Sequence, residues 1–293
     1  MTASLPSVSV IVPHYDDLDR LDRCLAALEA QTMPRSDYEI LIADNGTPAG
    51  LDAVRDVVRD RARLIEAPMP GAGPARNAGA AAARGQILAF TDCDCVPDAA
   101  WLEEGVRALD TADFVGGRMV VTVRSPERMS AAEAFETVFA FQNRSYVLEK
   151  HFTVTANLFC PATMFRDVGP FRTKVSEDKE WCLRARDKGY RIGYADKAII
   201  AHPARSDWPE LRRKWRRMSA ESYALMREGG GSRLSWLVRT WALPLSILPH
   251  AARVLTDDRL PAARDRIGAL AMLVLSRLWR FIEGHCLLLR REG

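Results

Sequence analysis

At 293 residues the chain is long enough for one large domain, or a domain with an appendage, around a sizeable core. Its 48% hydrophobic and 27% charged residues are those of a soluble globular protein, and no run of about 18–20 uninterrupted apolar residues marks a transmembrane helix. The net charge of +3 hides an asymmetry: residues 1–204 carry 24 Lys and Arg against 29 Asp and Glu (−5), whereas residues 205–293 carry 17 against 9 (+8).

The first 125 residues alternate strand-like and helix-like stretches. Residues 7–12 (SVSVIV) form a β-branched run with no polar face, as in a buried parallel strand. Residues 17–30 read as an amphipathic helix, with Leu18, Leu21, Leu25 and Leu28 at helical spacing. A strand at 38–43 (YEILIA), a polar helix at 51–60 and a strand at 63–67 (RLIEA) follow. The turn-rich PMPGAGPARNAG then runs into an Ala-rich helix that ends near Gly85. A fourth strand at 86–90 (QILAF) and a helix over 98–109 complete a βαβα rhythm, which predicts an α/β sheet covered on both faces.

The pattern then changes. Residues 114–123 predict a long strand with a Gly116-Gly117 break, residues 130–149 a helix, residues 151–161 an irregular strand. A helix at 178–188 and one or two short strands in 190–202 follow, an α+β arrangement attached to the parallel half. From 206 onward the chain reads as helical and basic, with breaks at residues 229–232 (GGGS), Pro244, Pro249 and Pro261. The six cysteines (Cys24, Cys93, Cys95, Cys160, Cys182 and Cys286) have neither zinc spacing nor the density of a disulfide framework, which fits a reducing compartment. The N-terminus has no basic leader or cleavage site, so no signal peptide is expected.

Five features carry chemistry. Asp92-Cys93-Asp94 directly follows the buried run ILAF. In an open α/β sheet, ligands bind beyond the carboxyl ends of strands. Two carboxylates spaced i, i+2 there can share a diphosphate-bound divalent cation, because Mg²⁺ and Mn²⁺ prefer carboxylate and phosphate oxygens. The same residues also fit an acidic loop ahead of a helix, since Pro97 and Asp98 follow. Asp44-Asn45-Gly46, after ILIA, reads as a turn or as a strand-end carboxylate facing a nucleobase or ribose.

GAGPARNAG (71–79) is not a dinucleotide-binding fingerprint, because Arg76 holds the third Gly position and the loop follows the third strand. It fits a helix start with Pro74 in the first turn, or an anion site that uses Arg76. Glu177-Asp178 either complements a helix dipole or supplies a carboxylate base for a hydroxyl. His202, after a short strand, is a structural histidine or a metal ligand.

Order and spacing separate these readings. The run Val8-Ser9-Val10-Ile11-Val12-Pro13-x-Tyr15 is followed by Asp44-Asn45-Gly46 and Ala75-Arg76-Asn77-x-Gly79. Then come Gly85-x-Ile87-x-x-Phe90-x-Asp92-x-Asp94, Glu177-Asp178 and His202. Together they resemble the family 2 glycosyltransferases of the GT-A fold, over residues 7 to 203. The resemblance implies a mostly parallel central sheet flanked by helices, within a catalytic domain of residues 1–204. Residues 1–125 would be the nucleotide-sugar-binding half, residues 126–204 the acceptor and catalytic half, and residues 205–293 a basic helical extension.

It further implies an inverting, hexosyltransferase-type enzyme that moves a sugar from a nucleotide-diphosphate sugar to an acceptor hydroxyl. The acceptor would be a sugar or lipid-linked, as in cell-surface polysaccharide or glycolipid assembly, with Mn²⁺ or Mg²⁺ as cofactor and no nucleic acid as partner. On this resemblance Pro13, His14, Tyr15 and Asp44 line the nucleoside pocket, and Arg76 sits near the nucleotide. Asp92 meets the ribose or metal-bound water, and Asp94 ligates the metal together with Asp92 and His202. Asp178 is the base with Glu177 beside it, and Asn157 and Trp181 lie on the acceptor side.

Two departures stand out. His14-Tyr15 replaces the commoner Tyr-Asn pair after the first proline, which leaves the nucleoside open. The Gln-x-x-Arg-Trp element of processive members is reduced to LRRKWRR (211–217), with Trp215 but neither the Gln nor the Arg before it, so a single-addition enzyme is expected. A sugar nucleotidylyltransferase would need a Gly-rich loop where VPHYDD follows the first strand. A non-catalytic scaffold that binds membrane or polyanion through the basic tail would leave Asp94 and Asp178 without a reason to coexist.

The tail itself is apolar over 265–291, but Arg277, Arg280 and Glu283 interrupt it. Charges at mid-bilayer cost about 2.5–3.5 kcal/mol each. Arg212, Arg213, Lys214, Arg216 and Arg217 flank Trp215, and each contributes about 1 kcal/mol near an anionic surface. The expectation is a cytoplasmic enzyme lying peripherally on the inner face of the plasma membrane. The alternative is that these helices pack on the protein.

Overall fold

The computed structural model describes residues 6–289. The strands are β1 (Val8–His14), β2 (Tyr38–Asp44), β3 (Arg63–Glu66), β4 (Ile87–Phe90), β5 (Val96–Pro97), β6 (Phe114–Thr122), β7 (Leu158–Pro161) and β8 (Ile192–Pro203). They form one sheet in the order β3-β2-β1-β4-β7-β6-β8-β5. β1 pairs in parallel with β2 and β4, and β2 with β3. β7 runs antiparallel to β4 and β6, and β5 antiparallel to β8. Every residue of β1 is buried, which is why it lacks a polar face. Its register on β2, from Val8 on Tyr38 to His14 on Asp44, sets the carboxyl ends of the two strands level.

The helices are α1 (Leu18–Glu29), α2 (Leu51–Val58), α3 (Ala72–Ala82), α4 (Trp101–Ala108), α5 (Ala131–Phe139), α6 (Asn143–Lys150), α7 (Ala162–Val168), α8 (Glu177–Asp187), α9 (Trp208–Glu228), α10 (Arg233–Leu245), α11 (Ile247–Leu255) and α12 (Ala263–Leu289). The single helix expected over 130–149 is two, α5 and α6, broken at Phe141, whose φ of 49° no α-helix tolerates. No Gly or Pro marks that break, so the sequence gives no sign of it. α7 and the two-residue β5 were likewise not expected.

The chain divides into two compact units. One holds the chain up to Val120, Gln142–Thr173 and Glu177–His202; the other holds Val121–Phe141, Lys174–Ser176 and the chain from Pro203 on. The expected boundary at 204/205 thus falls beside Pro203, but Val121–Phe141 groups with the helical unit instead of the catalytic part. The reason is packing: Ala132, Phe135 and Val138 of α5 share a core with Leu211, Val254, Leu260 and Leu273. Gly268 lets α12 approach, since a Cβ there would stand 3.2 Å from Ala131.

The core of the sheet unit joins Ile11, Leu41, Leu88 and Phe90 to Phe114, Phe165, Phe171 and Trp181. Two glycines make its antiparallel half possible. A Cβ on Gly116 would collide with Thr153, and one on Gly117 with the Asn157 amide and the Ala198 carbonyl. Gly117→Ala is therefore expected to lower stability by about 1–3 kcal/mol, the usual cost of overpacking, measured by thermal unfolding.

In the helical unit, α10 and α12 pack through Trp236, whose indole donates to the Gly284 carbonyl at 3.0 Å. Their outer sides are apolar. Leu234, Val238, Trp241 and Leu245 of α10 are exposed, as are Leu278, Ile282 and Leu289 of α12. Trp241 stacks edge-on against Phe281 at 4.9 Å, so the two stripes adjoin. Among the described residues no helix is long and apolar enough to cross a membrane.

Candidate active site

The chemistry-bearing residues of the sheet unit collect beyond the carboxyl ends of β1, β2 and β4, where an open α/β sheet binds ligands. Asp44 ends β2, and His14 ends β1 directly beside it. Asp44 Oδ1 meets His14 Nδ1 at 2.8 Å and accepts from the Thr47 hydroxyl at 2.5 Å. Its Oδ2 accepts from the Gly46 and Thr47 amides at 3.2 and 3.1 Å. Burial alone would raise the Asp44 carboxyl, but the Thr47 and His14 hydrogen bonds outweigh it and hold the group below its ordinary value.

Thr47 was not singled out in the sequence, although a Thr three residues after a strand-end Asp is the signature of such a turn. Asn45 pins the next loop: its amide donates to the Ala67 and Met69 carbonyls, and its carbonyl accepts from the Gly71 amide at 2.6 Å. Pro13 and His14 are buried, while Tyr15, the next residue, is exposed.

A second group sits around Arg76. The residue is 3% exposed, and its guanidinium binds Asp92 Oδ1 at 2.5 Å and Glu177 Oε1 at 3.0 Å. Burial works against the arginine's charge, but the two carboxylates more than compensate and raise its pKa above the ordinary guanidinium value. One buried side chain on α3 therefore ties the Asp-Cys-Asp loop to the start of α8. Arg76, expected near the nucleotide, thus spends its two Nη groups on carboxylates of the site. Asp178 follows Glu177 in the same helical turn, half-buried.

The rest of that motif is structural. Asn77 clamps the Phe171 backbone from both sides at 2.8 Å. Gly79 and Gly85 let the chain lie against β1, where a Cβ would meet Ile11 and Ser9 at 2.6 Å.

Asp94 Oδ2 and His202 Nε2 lie 3.3 Å apart. The short strand β5 explains this meeting: Val96 pairs with Ala201, which sets the residues on either side of the pair opposite one another. Two ligands at right angles on one ion, with bonds of about 2.1 Å, stand roughly 3 Å apart, so the pair fits a shared divalent cation. Among the described residues no group of three or more His, Cys, Asp or Glu side chains converges as a metal cage.

The residues expected on the acceptor side, Asn157 and Trp181, lie in the core. Asn157 has no exposed surface; it accepts from the Trp101 indole at 2.9 Å and donates to the Arg118 and Ala198 carbonyls. Trp181 is also fully buried, among Phe114, Phe165 and Phe171, and donates to the Gly169 carbonyl. Neither side chain presents surface to the outside in this structure. Asn157→Leu is expected to cost about 2–4 kcal/mol in unfolding free energy, because it strands one buried donor and two buried carbonyls. Donor affinity in the folded fraction should stay within about twofold of the parent, since only stability is engaged.

A family model described as "Glycosyl transferase family 2" matches residues 9–169. The chain is 32% identical over 290 residues to the glycosyltransferase AglE of Haloferax volcanii, covering 95% of this chain and 93% of that protein. The chain belongs to glycosyl transferase family 2. It is accordingly a glycosyltransferase with a nucleotide-sugar donor and an acceptor, and its fold is the GT-A fold of that family with C-terminal helices. It is also 28% identical over 214 residues to the pre-mycofactocin glycosyltransferase of Mycobacterium tuberculosis, and there it spans 44% of the relative's length. Among solved structures, residues 1–349 of TarS from S. aureus share the fold, with a TM-score of 0.53 at 17% identity over 94% of this chain and 72% of that one. Within this family fold, the Asp-x-Asp loop meets the start of α8 through Arg76 and the end of β8 through the Asp94–His202 pair.

Proposed function

We propose that this family 2 member is a metal-dependent, inverting, single-addition glycosyltransferase acting at a membrane surface on a sugar or lipid-linked acceptor. The observation that carries the reading is the Asp92–Arg76–Glu177 tie. It holds the loop suited to a nucleoside diphosphate in register with the helix turn that presents Asp178. Asp94 and His202 would hold Mn²⁺ or Mg²⁺, with remaining positions filled by diphosphate oxygens and water. Such an ion, when bound, neutralises the charge that builds on the departing diphosphate. Asp178 takes the proton of the acceptor hydroxyl as that oxygen attacks the anomeric carbon from the face opposite the leaving group. A single displacement of this kind inverts the anomeric centre.

The test is turnover of a panel of nucleotide sugars with Mn²⁺ or Mg²⁺, against the same reaction in EDTA, with the product's anomeric configuration read by NMR. Undiminished turnover in the chelator, or a retained anomer, overturns the reading. Arg76→Met is expected to leave Asp92 and Glu177 facing each other without their cation. Stability should fall by about 2 kcal/mol or more, and donor KM should rise with it.

The membrane part rests on the exposed apolar stripes of α10 and α12 within a tail of net charge +8. Trp241→Glu together with Leu245→Glu is expected to abolish co-sedimentation with anionic liposomes at low salt while leaving donor hydrolysis intact. Equal sedimentation of parent and variant leaves these helices as packing elements only.

A further inference from the structure

In the helical unit, α9, α10 and α12 bring together donors that have nothing to donate to. Arg277 and Arg280 stand one turn apart on α12. The Nε of each is buried without a hydrogen-bond partner, and among the described residues neither guanidinium has an ion pair or hydrogen bond. Arg280 lies over the Trp215 ring of α9 at 4.1 Å, and the Trp215 Nε1–H is itself buried without an acceptor. Arg239 of α10, over the Trp236 ring at 5.9 Å, adds a third positive charge on the same side. Burial, then repulsion from Arg277 and Arg239, pulls the Arg280 pKa down to about 9. Burial lowers Arg277 as well.

The contrast within the same unit is instructive. Where α5 and α9 bury charges, Glu136 sits between Arg205 at 3.2 Å and Lys214 at 2.7 Å, and each charge is answered. Buried polar groups in folded proteins are paired almost without exception, so a buried N–H without an acceptor marks a place where one is wanted. Two neighbouring guanidinium groups, one of them stacked on the indole, with three buried N–H donors left without an acceptor, suit a compact anion with several oxygens. Guanidinium forks match phosphate oxygens in pairs, which singles out phosphate over halide or an isolated carboxylate.

We propose that Arg277, Arg280 and Trp215 form a binding site for a phosphate or diphosphate group, distinct from the donor site on the sheet unit. The shared ligand chemistry is a multiply charged phosphate ester or its free inorganic counterpart. The adjoining apolar stripes of α10 and α12 favour a phosphate carried by a lipid. The site goes beyond the reaction proposed above and does not depend on it.

The experiment is thermal unfolding of the full chain in EDTA, titrated with sodium phosphate, pyrophosphate, monomeric dihexanoyl phosphatidic acid, and dihexanoyl phosphatidylcholine as a phosphodiester control. The parent is expected to show a saturable rise in Tm with pyrophosphate and phosphatidic acid and none with phosphatidylcholine. R277Q and R280Q should each weaken that binding at least tenfold. The double variant should lose it, and its unliganded Tm should exceed the parent's because two unanswered charges are gone. The lysine variants R277K and R280K, which keep the charge but not the fork, should bind weakly and guard against a folding artefact. Tenfold tighter binding of phosphatidic acid than of pyrophosphate assigns the site to a lipid headgroup; equal binding assigns it to a free phosphate. No saturable response in the parent, or the same response in the double variant, overturns the proposal. Donor turnover is read separately, so failure of the glycosyl-transfer reading leaves this result intact.

Discussion

Asp94→Ala is expected to abolish sugar transfer and metal-dependent nucleotide binding while the chain stays folded. The side chain is about a quarter exposed, so its loss leaves no buried void, and its charge faces His202 instead of the core. On the proposed metal role, what disappears is one of the two side chains that would hold the divalent cation, and His202 alone would be a weak anchor for a hard ion. Asp92→Ala should be severe in a different way. Its Oδ1 is committed to Arg76, so removing it frees one arm of a buried guanidinium and loosens Glu177 at the far end. The two variants are separable by isothermal titration of the nucleotide with and without Mn²⁺. Asp94→Ala should lose the metal increment entirely, whereas Asp92→Ala should lose affinity in both conditions. Full turnover by Asp94→Ala excludes the metal role.

How far the site was legible follows from the kind of signal each residue leaves. Strands β1, β2 and β4 announce themselves because a strand buried on both faces must be apolar throughout, and the carboxylates at their ends stand out against those runs. The D-x-D pair and Glu177-Asp178 are therefore readable as sites. Their linkage is not: Arg76 lies 16 residues before Asp92 and 101 before Glu177, and nothing local says that one guanidinium serves both. The Asp94–His202 meeting depends on β5, a pairing of two residues too short to leave a pattern.

The burial of Asn157 and Trp181 was illegible for the opposite reason. Both are polar or aromatic residues in segments that look like substrate contacts, yet each is consumed by the core. Gly116 and Gly117 were the clue to the first, since adjacent glycines in a strand signal something packed close against the backbone. The grouping of Val121–Phe141 with the helical unit is not legible because the apolar face of α5 is satisfied equally well, in sequence, by a sheet or by another helix. Only the small-residue match of Ala131 with Gly268 shows which partner it has.

Asp178→Asn is expected to keep donor and metal binding and to lose transfer by about 10²-fold or more, the lower part of the range for a general base. The substitution preserves shape and the local hydrogen bond from the Lys179 amide, which Asp178 Oδ1 accepts at 2.6 Å. It removes only the capacity to take a proton. Glu177 cannot stand in, because its Oε1 is held by the Arg76 guanidinium at 3.0 Å. Glu177→Gln should therefore behave differently: it breaks one arm of the Arg76 fork and should raise donor KM and lower Tm, with a smaller effect on kcat. The kcat–KM split between the two variants, measured with saturating acceptor, distinguishes a base from a positioning residue. A rise in donor KM at unchanged kcat in Asp178→Asn assigns that residue to binding. Slow hydrolysis of the donor by water should survive in Asp178→Asn to a greater extent than transfer, because the leaving-group half of the site is untouched and only activation of the acceptor hydroxyl is lost.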